Sequence, residues 1–150
     1  VVLRSLTKDH GLAALRVGYA LGDPTVVGPL AQVLTPWGVN ALAQAAAVAS
    51  LAAGAERQRR LEQLWADRAA LVGALRDRGW TLAAGEAPFF LVRARDPSAL
   101  KQRLLAEGVV VRPTASMGLP GHVRISPLDA PAHAALLGAL ERIGGAAAHG

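Results

Sequence analysis

Lysine is scarce in this chain. Only Lys8 and Lys101 stand among sixteen basic residues, and every other one is arginine. Lysine can do what arginine cannot: its amine can lose a proton and attack a carbonyl, forming an imine. Lys8 lies in Ser5-Leu-Thr-Lys-Asp-His-Gly-Leu-Ala-Ala-Leu-Arg16-Val-Gly-Tyr19. The Ser5 hydroxyl precedes it and the Arg16 guanidinium follows it, a spacing that suits a phosphate carried by the carbonyl compound. Thr7 is a further hydroxyl within reach. His10 reads as a loop residue, because a lysine amine already supplies a base. Each side chain taken alone has a plainer reading. Lys8 can be a surface loop lysine, Ser5 a serine bonded to its own backbone, and Arg16 a partner of Asp9 or Asp23.

A second pair of cationic residues lies further on. Arg124 sits in His122-Val-Arg-Ile-Ser126, where alternate residues are apolar. An arginine among β-branched neighbours calls for an anionic partner. Arg112 precedes it, directly after the apolar run Val109–Val111. Structural ion pairing is the alternative for both.

Ser5-x-x-Lys8 followed by Gly11-Leu-x-x-Leu-Arg16-x-Gly18-Tyr19 resembles the Schiff-base segment of class I/II pyridoxal-phosphate aminotransferases. Thr35-Pro-Trp-Gly-Val-Asn-Ala-Leu-Ala-Gln44 resembles the family's proline-aromatic loop and the helix after it. Gly108-Val-Val-Val-Arg112 and Gly118-Leu-Pro-Gly-His-Val-Arg124-Ile-Ser126 resemble its C-terminal substrate-binding region. The likeness runs through nearly the whole chain in family order. Within the family it is nearest to the branch of histidinol-phosphate aminotransferase and the threonine-phosphate decarboxylase of cobalamin biosynthesis.

The resemblance implies an α/β fold of fold type I: residues 1–54 as the end of the large cofactor-binding domain, and 55–150 as the small α/β domain. It implies pyridoxal 5'-phosphate held by Ser5, Lys8 and Arg16, with Lys8 catalytic. Arg124 would grip the substrate's carboxylate or phosphate, and Arg112 would be a second anion contact. The implied substrates are an amino acid or amino-alcohol phosphate and a 2-oxo acid, in a cytoplasmic homodimer. Two rival readings are the threonine-phosphate decarboxylase, whose branch Pro36-Trp37-Gly-Val-Asn40 resembles slightly more, and a non-enzymatic basic binding domain.

The family carries its lysine past the middle of the chain, so the expectation is a C-terminal portion of a longer protein. The aspartate for the pyridine nitrogen, the stacking ring and the phenol for the cofactor's oxygen are expected upstream, and the portion alone is expected to be inactive. Ala87-Pro88 stands where the family pattern has a small polar residue, so that residue's contacts are absent.

Composition narrows the classes. The absence of cysteine excludes disulfides and thiolate metal sites, and no metal is expected. The net charge of +5 and a pI near 11.0 raise nucleic acid as a partner. The arginines, however, densest at Arg57, Arg59 and Arg60 with Arg68, Arg76 and Arg78 further along, are interleaved with Glu56, Glu62, Asp67 and Asp77, which predicts a solvated helix face. Three Trp, one Tyr and two Phe form no stacking run. The apolar stretch Ala41–Ala55, broken by Gln44 and Ser50, is too short to span a bilayer.

The elements that must position these residues follow from pattern. Val1–Leu6 and Val17–Leu21 read as strands around a Thr7–Leu15 loop. Asp23-Pro24 opens a helix to about Leu34, and Asn40 caps an alanine-rich helix ending at Gly54. Leu61, Leu64, Trp65, Leu71, Val72 and Leu75 give a long amphipathic helix over Glu56–Arg78. Strands are predicted at Thr81–Ala83, Phe89–Val92, Val109–Val111 and His122–Ser126. Helices are predicted over Ser98–Glu107 and from Asp129 to about Ile143, with a frayed tail from Gly144.

Overall fold

The computed structural model describes residues 1–83 and 85–145, without the Asp9 side chain. The chain divides into two compact units, Val1–Arg60 and the residues from Leu61 onward. The division falls inside a long helix, whereas the change in sequence pattern lies near Gly54.

In the first unit, β1 (Val2–Ser5) and β2 (Gly18–Leu21) pair antiparallel, with Ser5 opposite Gly18. The segment read as a loop is more ordered than expected. It holds a one-turn helix, α1 (Leu6–Asp9), and a 3-10 turn over Ala13–Leu15. The His10 N–H donates to the Leu6 carbonyl at 3.1 Å, and the Leu15 N–H to that of Leu12 at 3.1 Å. One turn is too short for a hydrophobic period to betray it in sequence. Leu6 and Val17, from either end of this excursion, are buried with Ala43.

Helix α2 (Pro24–Gln32) begins where the Asp23 carboxylate accepts the Thr25 N–H at 2.8 Å. Bonds from the Thr25 hydroxyl, and then its N–H, hold the Asp23 carboxyl below its usual range. Helix α3 (Ala41–Ala52) is capped by Asn40, whose Oδ1 accepts from the Ala43 N–H at 2.9 Å. Both caps satisfy donors that a helix start leaves free. Helix α4 (Gly54–Asp77) follows, and Glu56 pairs with Arg59 and Arg60 at its start.

The second unit holds β3 (Phe90–Arg93), α5 (Pro97–Ala106), β4 (Arg112–Pro113), β5 (His122–Ile125) and α6 (Ala130–Arg142). The sheet order is β3-β5-β4, and both pairings are antiparallel. Alternation along the strands sends Phe90, Val92, Val123 and Ile125 into a core with Leu71 and Leu75 of α4. Leu100 and Leu104 of α5, and Leu136 and Leu140 of α6, complete it. Each such side chain contributes about 2 kcal/mol when removed from water. That burial fixes the register, and the register decides what the opposite face presents: Leu91, Arg124 and Arg112 side by side.

Three expectations are corrected. Val109–Val111 is not a strand. The Val109 N–H donates to the Leu104 carbonyl at 2.8 Å, so these residues close α5, and pairing starts only at Arg112. Val111 is still buried, but Val110 is 77% exposed. Thr81–Ala83 contributes one bridge, Leu82 to Val92, rather than a full strand. Gly144 and Gly145 close α6 through bonds to the Glu141 and Leu140 carbonyls. The rest of the expected tail, 146–150, lies outside the described residues. Among those described, no helix is long and apolar enough to cross a membrane.

Candidate active site

The predicted residues fall into two sets, one on each unit. On the first unit, Ser5 ends β1, Lys8 lies on α1 with its side chain exposed, and Arg16 stands just before β2. Helix α1 packs against both the 3-10 turn and β2. The Ser5 and Thr7 hydroxyls share a 2.6 Å hydrogen bond. That bond uses one of their two hydroxyl protons, so the other is free to donate to an anion. The Arg16 Nη1 donates to the Ala13 carbonyl at 3.0 Å, leaving the rest of its fork available. Asp23, one suggested partner of Arg16, instead caps α2. The Asp9 side chain lies outside the description.

Arg16 has a left-handed backbone, φ 51°. Among described non-glycine residues only Trp37 shares such a conformation, at φ 61°. Non-glycine residues held there cost on the order of 1 kcal/mol or more and are concentrated at functional sites. Next to Arg16, the close pairing of β1 and β2 demands glycine. A Cβ at Gly18 would stand 2.5 Å from the Arg4 carbonyl oxygen. Gly18→Ala is therefore expected to cost about 2 kcal/mol or more, and to loosen the pairing that carries Ser5. A lowered melting temperature with unchanged helix content checks this.

On the second unit, Arg112 and Arg124 are directly opposite on β4 and β5. Among the described residues neither makes an ion pair. The Arg124 guanidinium carbon lies 5.1 Å from the Phe89 ring centroid, a cation–π contact. Both arginines line a cleft of about 400 Å³ whose other walls include Leu71, Val110, Leu128 and His133. The Leu128 N–H donates to His133 Nε2 at 3.2 Å, which leaves the His133 proton on Nδ1 when the ring is neutral. Between β4 and β5, the buried Thr114 donates its hydroxyl to the Leu119 carbonyl at 2.6 Å and its N–H to the His122 carbonyl at 3.1 Å. These bonds pin the Gly118–Gly121 loop. Two opposed arginines without a carboxylate repel each other, and an anion between them relieves the repulsion.

Sequence reasoning missed Phe89 as part of this second set. Its signal was the odd placement of Ala87-Pro88 just before an aromatic pair.

The family model for aminotransferase class I and II matches residues 1–143. The chain belongs to that family. It is 39% identical over 146 residues to histidinol-phosphate aminotransferase 1 of Cupriavidus pinatubonensis, covering 95% of this chain and 39% of the relative. It superposes with a TM-score of 0.82 on the L-threonine-O-3-phosphate decarboxylase of Porphyromonas gingivalis, at 27% identity, covering 94% of this chain and 45% of that one. The histidinol-phosphate aminotransferase of Sinorhizobium meliloti, solved in complex with pyridoxal-5'-phosphate, shares the fold at TM-score 0.79 and 21% identity, over 94% of this chain and 41% of that one. The chain thus spans about two fifths of the length of these aminotransferases and decarboxylases.

The donor set on the first unit fits a phosphorylated aldehyde cofactor. One hydroxyl proton, a guanidinium fork and a primary amine lie on one short excursion between paired strands.

Proposed function

We propose that the intact protein is a pyridoxal-phosphate-dependent aminotransferase. It moves an amino group between an amino acid or amino-alcohol phosphate and a 2-oxo acid. The observation that carries this reading is the Ser5–Thr7 hydroxyl pair at the start of the excursion that bears Lys8, which the left-handed Arg16 returns to a strand that tolerates only glycine at position 18.

Ser5 and Arg16 bind the cofactor's phosphate, the arginine as a charge-assisted fork. When bound, the cofactor supplies an electron sink for charge left at the substrate's Cα. Lys8 Nζ would take the proton from that carbon, hold it and release it at a different carbon, because return to Cα would only regenerate the starting amine. Arg124 binds the substrate's carboxylate or phosphate. Arg112 takes a second anionic group, which supports a substrate bearing two. Residues 1–54 are read as the end of a large cofactor-binding domain and 55–150 as a small domain. Homodimeric, cytoplasmic assembly without a resident metal, membrane or nucleic acid completes the proposal.

The test is covalent. Pyridoxal phosphate is added to the intact protein, borohydride traps the adduct, and peptide mass spectrometry locates it. Label on the Lys8 peptide is expected. Label only at lysines other than Lys8, or none, rejects the enzyme reading and favours a basic binding domain. Glutamate as amino donor to a 2-oxo acid is then compared with carbon dioxide release from O-phospho-L-threonine. Release without amino transfer moves the protein to the decarboxylase branch.

A further inference from the structure

We propose that Arg68 is a positioning residue for Arg124, acting through the 85–89 turn and the Phe89 ring. The inference rests on the anion-binding role given to Arg124 above.

Arg68 lies on the face of α4 that the charge pattern marks as solvated, yet it is half-buried and bonded to backbone. Its Nε donates to the Ala87 carbonyl at 3.0 Å, and its Nη2 to the Gly85 carbonyl at 2.8 Å. A guanidinium is planar and its donors are fixed relative to one another, so one rigid fork sets two carbonyls of the same turn. The fork is itself seated by rings. Its central carbon is 5.8 Å from the Trp65 centroid and 5.9 Å from that of Phe90.

Among the described residues, the turn has little else to fasten it. The ladder before it closes with the Ala83 N–H on the Leu91 carbonyl at 3.0 Å and the Arg93 N–H on that of Thr81 at 2.9 Å. Within the turn, Pro88 has no N–H to contribute. The next residue is Phe89.

The strand period then carries the effect to Arg124. Phe90 and Val92 face the core, so Phe89 and Leu91 face the other way. Leu91 is directly opposite Arg124, and the Phe89 ring is diagonal to it, at 5.1 Å from the guanidinium carbon. On its other side stands Arg112, which repels it. With no ion pair among the described residues to aim it, the Arg124 side chain takes its direction from the Phe89 ring. The ring takes its place from the turn, and the turn from Arg68.

A residue that merely stabilised the turn would change melting temperature and leave anion affinity alone. The proposal predicts more. In the intact holoenzyme, Arg68→Ala is expected to weaken binding of succinate, a dicarboxylate with no amino group to react, about tenfold by calorimetry. It is expected to raise KM for the amino substrate to match, with kcat within about threefold of the starting value. Phe89→Leu is expected to do the same, and the double variant to be no worse than either single one, because both act along one path. Arg68→Lys keeps the charge and loses the fork, and is expected to behave like Arg68→Ala.

Affinity within twofold of the unaltered protein in Arg68→Ala, or losses that multiply in the double variant, overturns the inference. Should Arg68→Ala not fold, Phe89→Leu and Arg68→Lys carry the comparison, and unchanged succinate affinity in both overturns it equally. Arg124→Ala separates the two levels. If it abolishes binding while the Arg68 variants do not, only the positioning role fails. If it leaves binding intact, the role of Arg124 fails as well.

Discussion

Lys8→Ala is expected to lower steady-state turnover of the intact protein by about 10⁴-fold, the upper range for a group that moves a proton in the transition state. Trapping by borohydride should vanish from this region in the same variant. The loss should come without a loss of fold. Lys8 is exposed on a one-turn helix, and truncating such a side chain typically moves stability by about 0.5 kcal/mol or less. Lys8→Arg sharpens the test. It preserves the positive charge but not an amine that can deprotonate, and it is expected to be as inactive as the alanine variant. A charge needed only to hold phosphate would be restored by arginine. Recovery of more than about a tenth of the activity in Lys8→Arg would falsify the proton-transfer role.

Much of the scaffold around Lys8 was legible because its signals are local. Asp23-Pro24, Asn40 and Asp129 announce helix starts, and each accepts the N–H bonds such a residue should take. The strand at His122–Ile125 showed itself by alternation. What was illegible depends on partners distant in sequence. The three valines of Val109–Val111 have high strand propensity, yet among the described residues no strand pairs with them, and the closing turn of α5 claims the Val109 N–H. Helix α1 is too short for any period. Arg68 was counted with the solvated charges of α4 because nothing in sequence shows that its donors meet carbonyls at positions 85 and 87.

The same distinction applies to the arginine pair. Sequence gave each of Arg112 and Arg124 a reason to meet an anion. Only the register makes them neighbours across two strands. That juxtaposition has an energetic sign that neither residue has alone. Like charges directly opposite in a sheet destabilise it by a few tenths of a kcal/mol. In the absence of ligand, Arg112→Ala should therefore leave the melting temperature unchanged or slightly raised.

Arg124→Ala should act in the opposite sense on function. Removing a charge-assisted, bidentate contact to a desolvated anion costs about 3–4 kcal/mol, so kcat/KM is expected to fall by about 10²–10³-fold. Arg124→Lys should recover part of this through charge alone, while lacking the fork and the stacking on Phe89. The two half-reactions give the decisive pattern. Amino donor and 2-oxo acid acceptor each bring an anion to one site, so Arg124→Ala must impair both. Arg112→Ala should impair chiefly the partner that carries a second anionic group. Stopped-flow measurement of each half-reaction separates these outcomes. Equal loss in both from Arg112→Ala, with little from Arg124→Ala, would reverse the roles of the two strands.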